Sequence, residues 1–350
     1  MKITIAIVSR SGIGGIILNT VKISDVAKAA GVSLSTVSRV LSDHSVKPST
    51  RERVLQVIEE LNYRPNALAR QLRTQETKTV IVIVPSIENS LFHEVIFGIA
   101  SEAEANGYQV LIADMHSQPL IEEHYFNAIQ QRQVDGIISM SANMVQKLMQ
   151  QIAGEYPMVM AVQSLENDSI PCVSIDNAAA AKAMMMHLIR MGHRNIAHIT
   201  SSLHLSPYQD RLNSYITTLK EHGISVDMGM VSYGEPTIQG GYEQMESLLA
   251  KEKSITAVFA AGDTMAMGAI KALKKKGLRV PQDCAVVGFD DIELSSFWEP
   301  ALTTIRQPKV QIGQITFRKL LALMKKESLL NMQDILPYEL VIRESCGYFL

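Results

Sequence analysis

The sequence is short of cysteine, with three residues (Cys172, Cys284 and Cys346) in a chain of 350. They are odd in number, far apart and without Cys-x-x-Cys spacing. That argues against a disulfide framework or a cysteine-built zinc site and suits a reducing compartment. Long hydrophobic runs are missing too: no stretch reaches the roughly 18 uninterrupted apolar residues of a membrane span. The opening MKITIAIVSRSGIGGIIL is apolar, but Arg10 and Ser11 interrupt it and no small-residue cleavage site follows. A secretory signal is therefore not expected, and the chain reads as cytoplasmic. Catalytic signatures are equally scarce. Gly12-Ile13-Gly14-Gly15 has no Gly-Lys-Ser/Thr after it, and Gly-x-Ser-x-Gly does not occur. His187, His193, His198 and His204 cluster without the His-Glu-x-x-His spacing of a metal site. The chain is therefore expected to be no enzyme and to hold no metal or cofactor.

What is present is a large globular chain with an uneven charge. Hydrophobic residues make up 47% and charged residues 19%, and 350 residues exceed one ordinary core, so two or three domains are expected. The formal net charge is −2. Residues 21–78 hold ten Lys/Arg against six Asp/Glu, a net +4, while residues 79–350 hold −8. A small basic unit on a larger acidic one suits a polyanion-binding head on a soluble body.

Residues 23–41, ISDVAKAAGVSLSTVSRVL, read as two short helices with a sharp joint. Ser24 is placed as the N-cap of the first, with Val26, Ala27 and Ala30 on its inner face. Gly31 makes the turn, Val32 plugs it, and Ser33 caps the second helix. There Val37, Val40 and Leu41 face inward and Leu34, Ser35, Ser38 and Arg39 outward. The start of such a second helix meets base edges in the major groove, and Arg39 has the reach for a guanine edge or a phosphate. A third helix follows, with Ser49 and Glu52 read as a capping box and Val54, Ile58 and Leu61 as its core side. Residues 62–78 are polar and basic, a linker.

From Thr79 the pattern changes to short β-branched runs (79–84, 108–114, 134–140, 157–162, 195–200, 256–262 and 285–290) alternating with amphipathic stretches. Buried strands separated by helices predict parallel sheets covered on both faces. They form two groups, split near residue 163, giving two α/β lobes with a small-ligand cleft between them.

DVAKAAGVSLSTVSRVL, RERVLQVIEELNYRPNALARQLR, SIDNAAAA, MGHRNIAHIT, GDTMAMGAIKALKKKGLRVPQDCAVVGFDD and ALTTIRQP together resemble the lac repressor family of bacterial regulators. The likeness runs from about Lys22 to the C-terminus and is similar above all to the cytidine repressor branch. It implies an α/β fold: a three-helix, helix-turn-helix head over 21–65, a hinge over 66–78, and a two-lobed, periplasmic-binding-protein-like body over 79–350. It implies a homodimer on a pseudo-palindromic operator, with DNA contacts drawn from Ser24, Ser33, Leu34, Ser35, Thr36, Ser38, Arg39, Asn66, Ala69 and Leu72. The hinge becomes helical on DNA and Leu72 wedges into the minor groove, in keeping with a segment of good helix formers too short to be helical alone. A sugar or nucleoside-like effector is implied, held by Arg211, Asp263 and Asp290, with Phe92 as a stacking aromatic. Pro236 stands where several relatives have a second aromatic, which puts a flat-base sandwich in doubt. The competing class is a small-molecule transport or sensor protein of the same fold. Residues 1–20 fit nothing that follows. They read as a mis-assigned start, with Val21 where an initiator would stand, or as a disordered basic arm, or as an added strand.

Overall fold

Three short helices, α1 (Ile23–Ala29), α2 (Leu34–Leu41) and α3 (Pro48–Glu60), enclose a small core of Val26, Ala27, Ala30, Val37, Val40, Val54, Val57 and Tyr63. The computed structural model describes residues 21–41, 45–63, 76–115, 133–140, 152–163, 170–201, 205–251 and 254–348. The joint between α1 and α2 is made by Gly31, whose φ of 61° is the left-handed conformation that a side chain disfavours. Ser33 caps α2 as expected, its Oγ accepting from the Thr36 N–H at 3.2 Å. Two other caps differ from the sequence reading. α1 begins two residues early, at Ile23 with Lys22 as its N-cap, because Asp25 accepts the Lys22 N–H at 2.8 Å; Ser24 lies inside the first turn. α3 begins at Pro48, whose fixed φ and missing N–H suit the first helical position, so Ser49 is already helical and no Ser49–Glu52 box forms.

The chain divides between Thr77 and Lys78 into two compact units. The second is built on two parallel sheets. β1 (Thr79–Val84), β2 (Gln109–Asp114), β3 (Gly136–Ser139), β4 (Met158–Ala161), β5 (Cys172–Ile175) and β11 (Gln333–Leu336) form a sheet in the order β11-β5-β4-β3-β1-β2. β6 (Ile196–Ser201), β7 (Val231–Gly234), β8 (Ala257–Ala260) and β9 (Ala285–Val287) form the other, in the order β7-β6-β8-β9. The buried strands are runs of apolar residues with almost no polar interruption, as a sheet covered on both faces requires. A short antiparallel ribbon of β10 (Thr304–Arg306) and β12 (Glu339–Val341) lies beside them.

The first lobe is completed by α4 (Leu91–Ala105) and α9 (Lys309–Met324). The second is completed by α5 (Asn177–Arg190), α6 (Ser206–Glu221), α7 (Ile238–Leu249) and α8 (Asp263–Lys275). The chain therefore leaves the first sheet at Asp176 and returns to it for α9 and β11. The expected boundary near residue 163 falls instead after β5, a four-residue strand whose Cys and Ser hid it among the short apolar runs. Glycines let helices touch through their backbones in both lobes. A Cβ on Gly98 of α4 would meet the Val310 carbonyl of α9, and one on Gly313 that of Val95. Gly241 of α7 and Gly268 of α8 are in the same position against Met265 and Ile238. No described helix is long and apolar enough to cross a membrane.

Candidate functional site

On the head, the α2 face away from the core carries Leu34, Ser35 and Arg39. Leu34 is 52% exposed, a large apolar side chain left in solvent at the start of a helix. Ser35 and Arg39 are exposed as well, whereas Thr36 and Ser38 are half-buried. Ser33 is exposed but its oxygen is shared with Ser35 Oγ, Thr36 Oγ1 and the Thr36 N–H, so its first task is to shape the turn. Ser24 is exposed on α1 beside Asp25. Asn66, Ala69 and Leu72 lie outside the described residues, as do residues 1–20.

In the second unit a buried polar cluster forms where the chain crosses between lobes. Arg211, in the second turn of α6, is 3% exposed, and its guanidinium lies 3.6 Å over the Phe289 ring. Nε and Nη2 donate to Asn177 Oδ1 at 3.2 and 2.9 Å, Nη1 to the Ala261 carbonyl at 2.5 Å, and Nη2 to Asp290 Oδ1 at 3.4 Å. A guanidinium has five N–H donors, so one on Nη1 has no partner among the described residues. Gln307 Nε2 donates to the same Asp290 oxygen at 2.7 Å. Asp290 Oδ2 accepts no hydrogen bond among the described residues and faces Gly262, where an added Cβ would stand 3.7 Å away. Burial raises the Asp290 pKa, while Arg211 and Lys309 pull it back down. Asn177 also lines a cavity of about 230 Å³ with Ser174, Asp176, Ser206, Asp210 and Ile335.

Asp263 opens α8 beside this cluster, 1% exposed. Its Oδ2 accepts from the Ile292 N–H at 2.9 Å and the Ser295 hydroxyl at 2.8 Å, and its Oδ1 accepts from the Thr304 hydroxyl at 2.6 Å. It therefore organises the 290–304 loop. Burial, with the Asp290 charge next to it, pushes its carboxyl up to about 7 against the three donors.

Phe92, read as a stacking aromatic, belongs to the apolar cluster of the first lobe. It sits in the first turn of α4, 5% exposed, and packs in the core with Val84, Val95 and Ile138. Asn177, Gln307 and Lys309 were missed. The signal was present, since SIDN and TIRQPK place polar residues at the crossing points, but nothing in their spacing separates them from loop residues.

Of the histidines read as unlikely ligands, His198 is wholly buried between Tyr215 and Phe259, with ring centroids at 5.0 and 4.8 Å. Its Nδ1 bonds the Phe259 carbonyl at 2.8 Å, and burial lowers its pKa to about 4. Among the described residues no group of three or more His, Cys, Asp or Glu is placed to hold a metal.

Comparison with known proteins matches residues 22–66 to the bacterial regulatory proteins of the lacI family and residues 185–346 to a periplasmic binding protein-like domain. Catabolite control protein A of Priestia megaterium is 37% identical over 329 residues, 93% of this chain and 99% of that one. The transcriptional repressor CytR of Escherichia coli K12 is 35% identical over 323 residues, 92% of this chain and 95% of that one. The two identities are close, so the chain is not tied to the cytidine repressor branch alone. The lac repressor dimer bound to operator and the anti-inducer ONPF has 29% identity and a TM-score of 0.84, covering 94% of this chain and 99% of that one. With the helix-turn-helix head, the two parallel-sheet lobes and relatives matched nearly end to end, the chain belongs to the lacI family of bacterial regulatory proteins.

Proposed function

We propose that this protein is a cytoplasmic transcription repressor whose affinity for a pseudo-palindromic operator is set by a small hydroxyl-bearing effector, a sugar or nucleoside. It acts by binding, without chemistry. The head spans 21–65, the hinge 66–78 and the effector body 79–350. Leu34, Ser35 and Arg39 read bases from the exposed face of α2, with Ser24, Ser33, Thr36, Ser38 and Asn66 as further contacts. Ala69 and Leu72 supply the hinge, Leu72 as the wedge. Support for a homodimer comes from the lac repressor dimer and from this chain's own surface. β2 is an edge strand with Leu111 and Ile112 40% and 45% exposed, and Phe97 of α4 is 51% exposed. Edge strands with apolar exposure invite a partner.

The observation that carries the effector reading is a pair of groups without a partner among the described residues, one N–H on Arg211 Nη1 and Asp290 Oδ2, in two buried residues whose Nη2 and Oδ1 meet at 3.4 Å. A hydroxyl donates and accepts at once, so it satisfies both where a purely apolar ligand would strand them. Asp263 serves this pair from behind by fixing the loop that carries Asp290. The test is gel-shift binding of the full chain to operator fragments selected from a random pool, followed by release with nucleosides and sugars. Arg39→Ala and Leu34→Ala are expected to weaken operator binding, Arg39→Ala by about 1–3 kcal/mol if it reads a base, with ligand binding intact. Unchanged operator affinity for both variants at fixed salt refutes the head assignment.

A further inference from the structure

Lys309 opens α9, and its side chain is 2% exposed. Each donor of its ammonium has a taker: the backbone oxygens of Asp290 and Asp291 at 3.0 and 2.5 Å, and Glu94 Oε1 at 2.8 Å. Asp290 and Asp291 follow β9 in the second lobe and are consecutive non-glycine residues with positive φ, 112° and 49°. Glu94 stands in the first turn of α4 in the first lobe, its side chain 47% exposed. One buried cation thus ties a first-lobe helix to the backbone of the residue whose carboxylate faces Arg211. The other charges at the crossing are spoken for. Asp291 pairs with Arg306 at 2.6 Å and Arg343 at 2.7 Å, and Arg306 with Glu339 at 2.7 Å. Glu94 and Asp290 are both acceptors and cannot bond each other, so what they share runs through Lys309.

We infer that Lys309 is a positioning residue for the effector response, carrying a change at Asp290 across to α4. Two successive left-handed aspartates persist only where the surroundings over-determine them. A ligand hydroxyl on Asp290 Oδ2 loads the carboxylate oxygen opposite the one held by Arg211 and Gln307, and the Asp290 backbone turns in response. Its carbonyl is held by Lys309 Nζ, so the ammonium must follow or let go, and Glu94 gains or loses its cation accordingly. A differential contact of this kind is what a ligand needs in order to bias one lobe arrangement over another. The contact itself is independent of any ligand; its purpose rests on the effector reading of Asp290.

Two measurements on the full chain test it. The first is a urea-unfolding cycle of Glu94→Gln, Asp290→Asn and the double variant, run with Lys309 intact and again in Lys309→Gln. Both aspartate and asparagine tolerate positive φ, so the second substitution removes charge and keeps the backbone. With Lys309 intact the shift in midpoint for the double variant is expected to differ from the sum of the singles; in Lys309→Gln the shifts should add. Additive shifts with Lys309 intact, or the same non-additivity without the ammonium, overturn the inference. The second is amide hydrogen exchange over residues 91–105 with cytidine and D-ribose as probes. A probe that binds should alter exchange there in the parent and lose that effect in Lys309→Gln while still binding by calorimetry. An unchanged response in Lys309→Gln overturns the inference, whereas binding by neither probe counts against the effector reading and leaves the unfolding cycle to decide whether Lys309 links Asp290 to Glu94.

Discussion

Raising the pH from about 4 to about 8 should cost the parent protein stability that an Asp263→Asn variant keeps. The carboxyl of Asp263 is pushed from 3.8 up to about 7 by burial and by the neighbouring charge of Asp290. Between those values the folded chain holds a proton that the unfolded chain has released. The native state then binds more protons, so the unfolding free energy falls as pH rises through the window and levels off above about 7. A shift of about three units at about 1.36 kcal/mol each gives about 4 kcal/mol. Asp290 is raised in the same direction and the two carboxyls share the titration, so this figure is a ceiling for either one. An asparagine keeps an acceptor for the Ile292 N–H, and its amide can donate to the Ser295 or Thr304 hydroxyl. The assay is urea unfolding followed by the fluorescence of Trp298, the one tryptophan, which packs against the second-lobe core. The variant should gain on the parent by up to about 4 kcal/mol between about pH 4 and 7 and hold that margin at higher pH. A constant difference across the range refutes the reasoning, and so does a parent that gains on the variant, because the three donors would then outweigh burial.

Other outcomes follow from the same geometry. Arg211→Ala strips Asp290 of its buried partner and should cost roughly 3–5 kcal/mol in urea unfolding; a loss under about 1 kcal/mol would show that Asp290 does not depend on the guanidinium. Gly268→Ala drives a methyl into the backbone of α7 and should destabilise by about 1–3 kcal/mol, visible as a lowered unfolding midpoint without a changed slope. His198 is neutral in the fold down to about pH 4, while the unfolded histidine protonates near 6.5. Its contribution is therefore complete above 6.5 and drains away on acidification, by about 3 kcal/mol over the window. His198→Phe should abolish that acid sensitivity, measured as the difference in midpoint between about pH 7 and about pH 4.5.

The alternation of apolar runs and amphipathic stretches was enough to place most strands of both parallel sheets, because strands covered on two faces must be apolar throughout. The exceptions are instructive. β5, β7, β10 and β11 are three or four residues long and carry polar residues, so no apolar run marks them as it marks β3, β4 and β8. The boundary between lobes was misread because chain order and sheet membership part company at Asp176 and again at Lys309. In the head, Val26, Val37 and Val54 were readable as core from spacing, but the caps of α1 and α3 were not. A serine near a helix start competes with Asp25 or Pro48 for the same role, and only geometry decides between them. In the body, Arg211 and Asp290 do meet, and Asp263 supports them through the 290–304 loop.

The glycine contacts between α4 and α9 and between α7 and α8 have a mechanical consequence. Side-chain contacts can yield by changing rotamer, as gears with play, but backbone pressed on backbone has no such slack. Gly98 and Gly313 clamp one helix pair and Gly241 and Gly268 the other, so each lobe resists shear like a riveted plate. Compliance is then left to the strands that cross between the plates, at Asp176, at Gln307–Pro308 and at Pro337–Tyr338. A small molecule acting at those crossings spends its binding energy on a change of angle, with little lost to softening of the lobes themselves. Filling any one of the four glycine sites should therefore blunt the response by making a plate flexible.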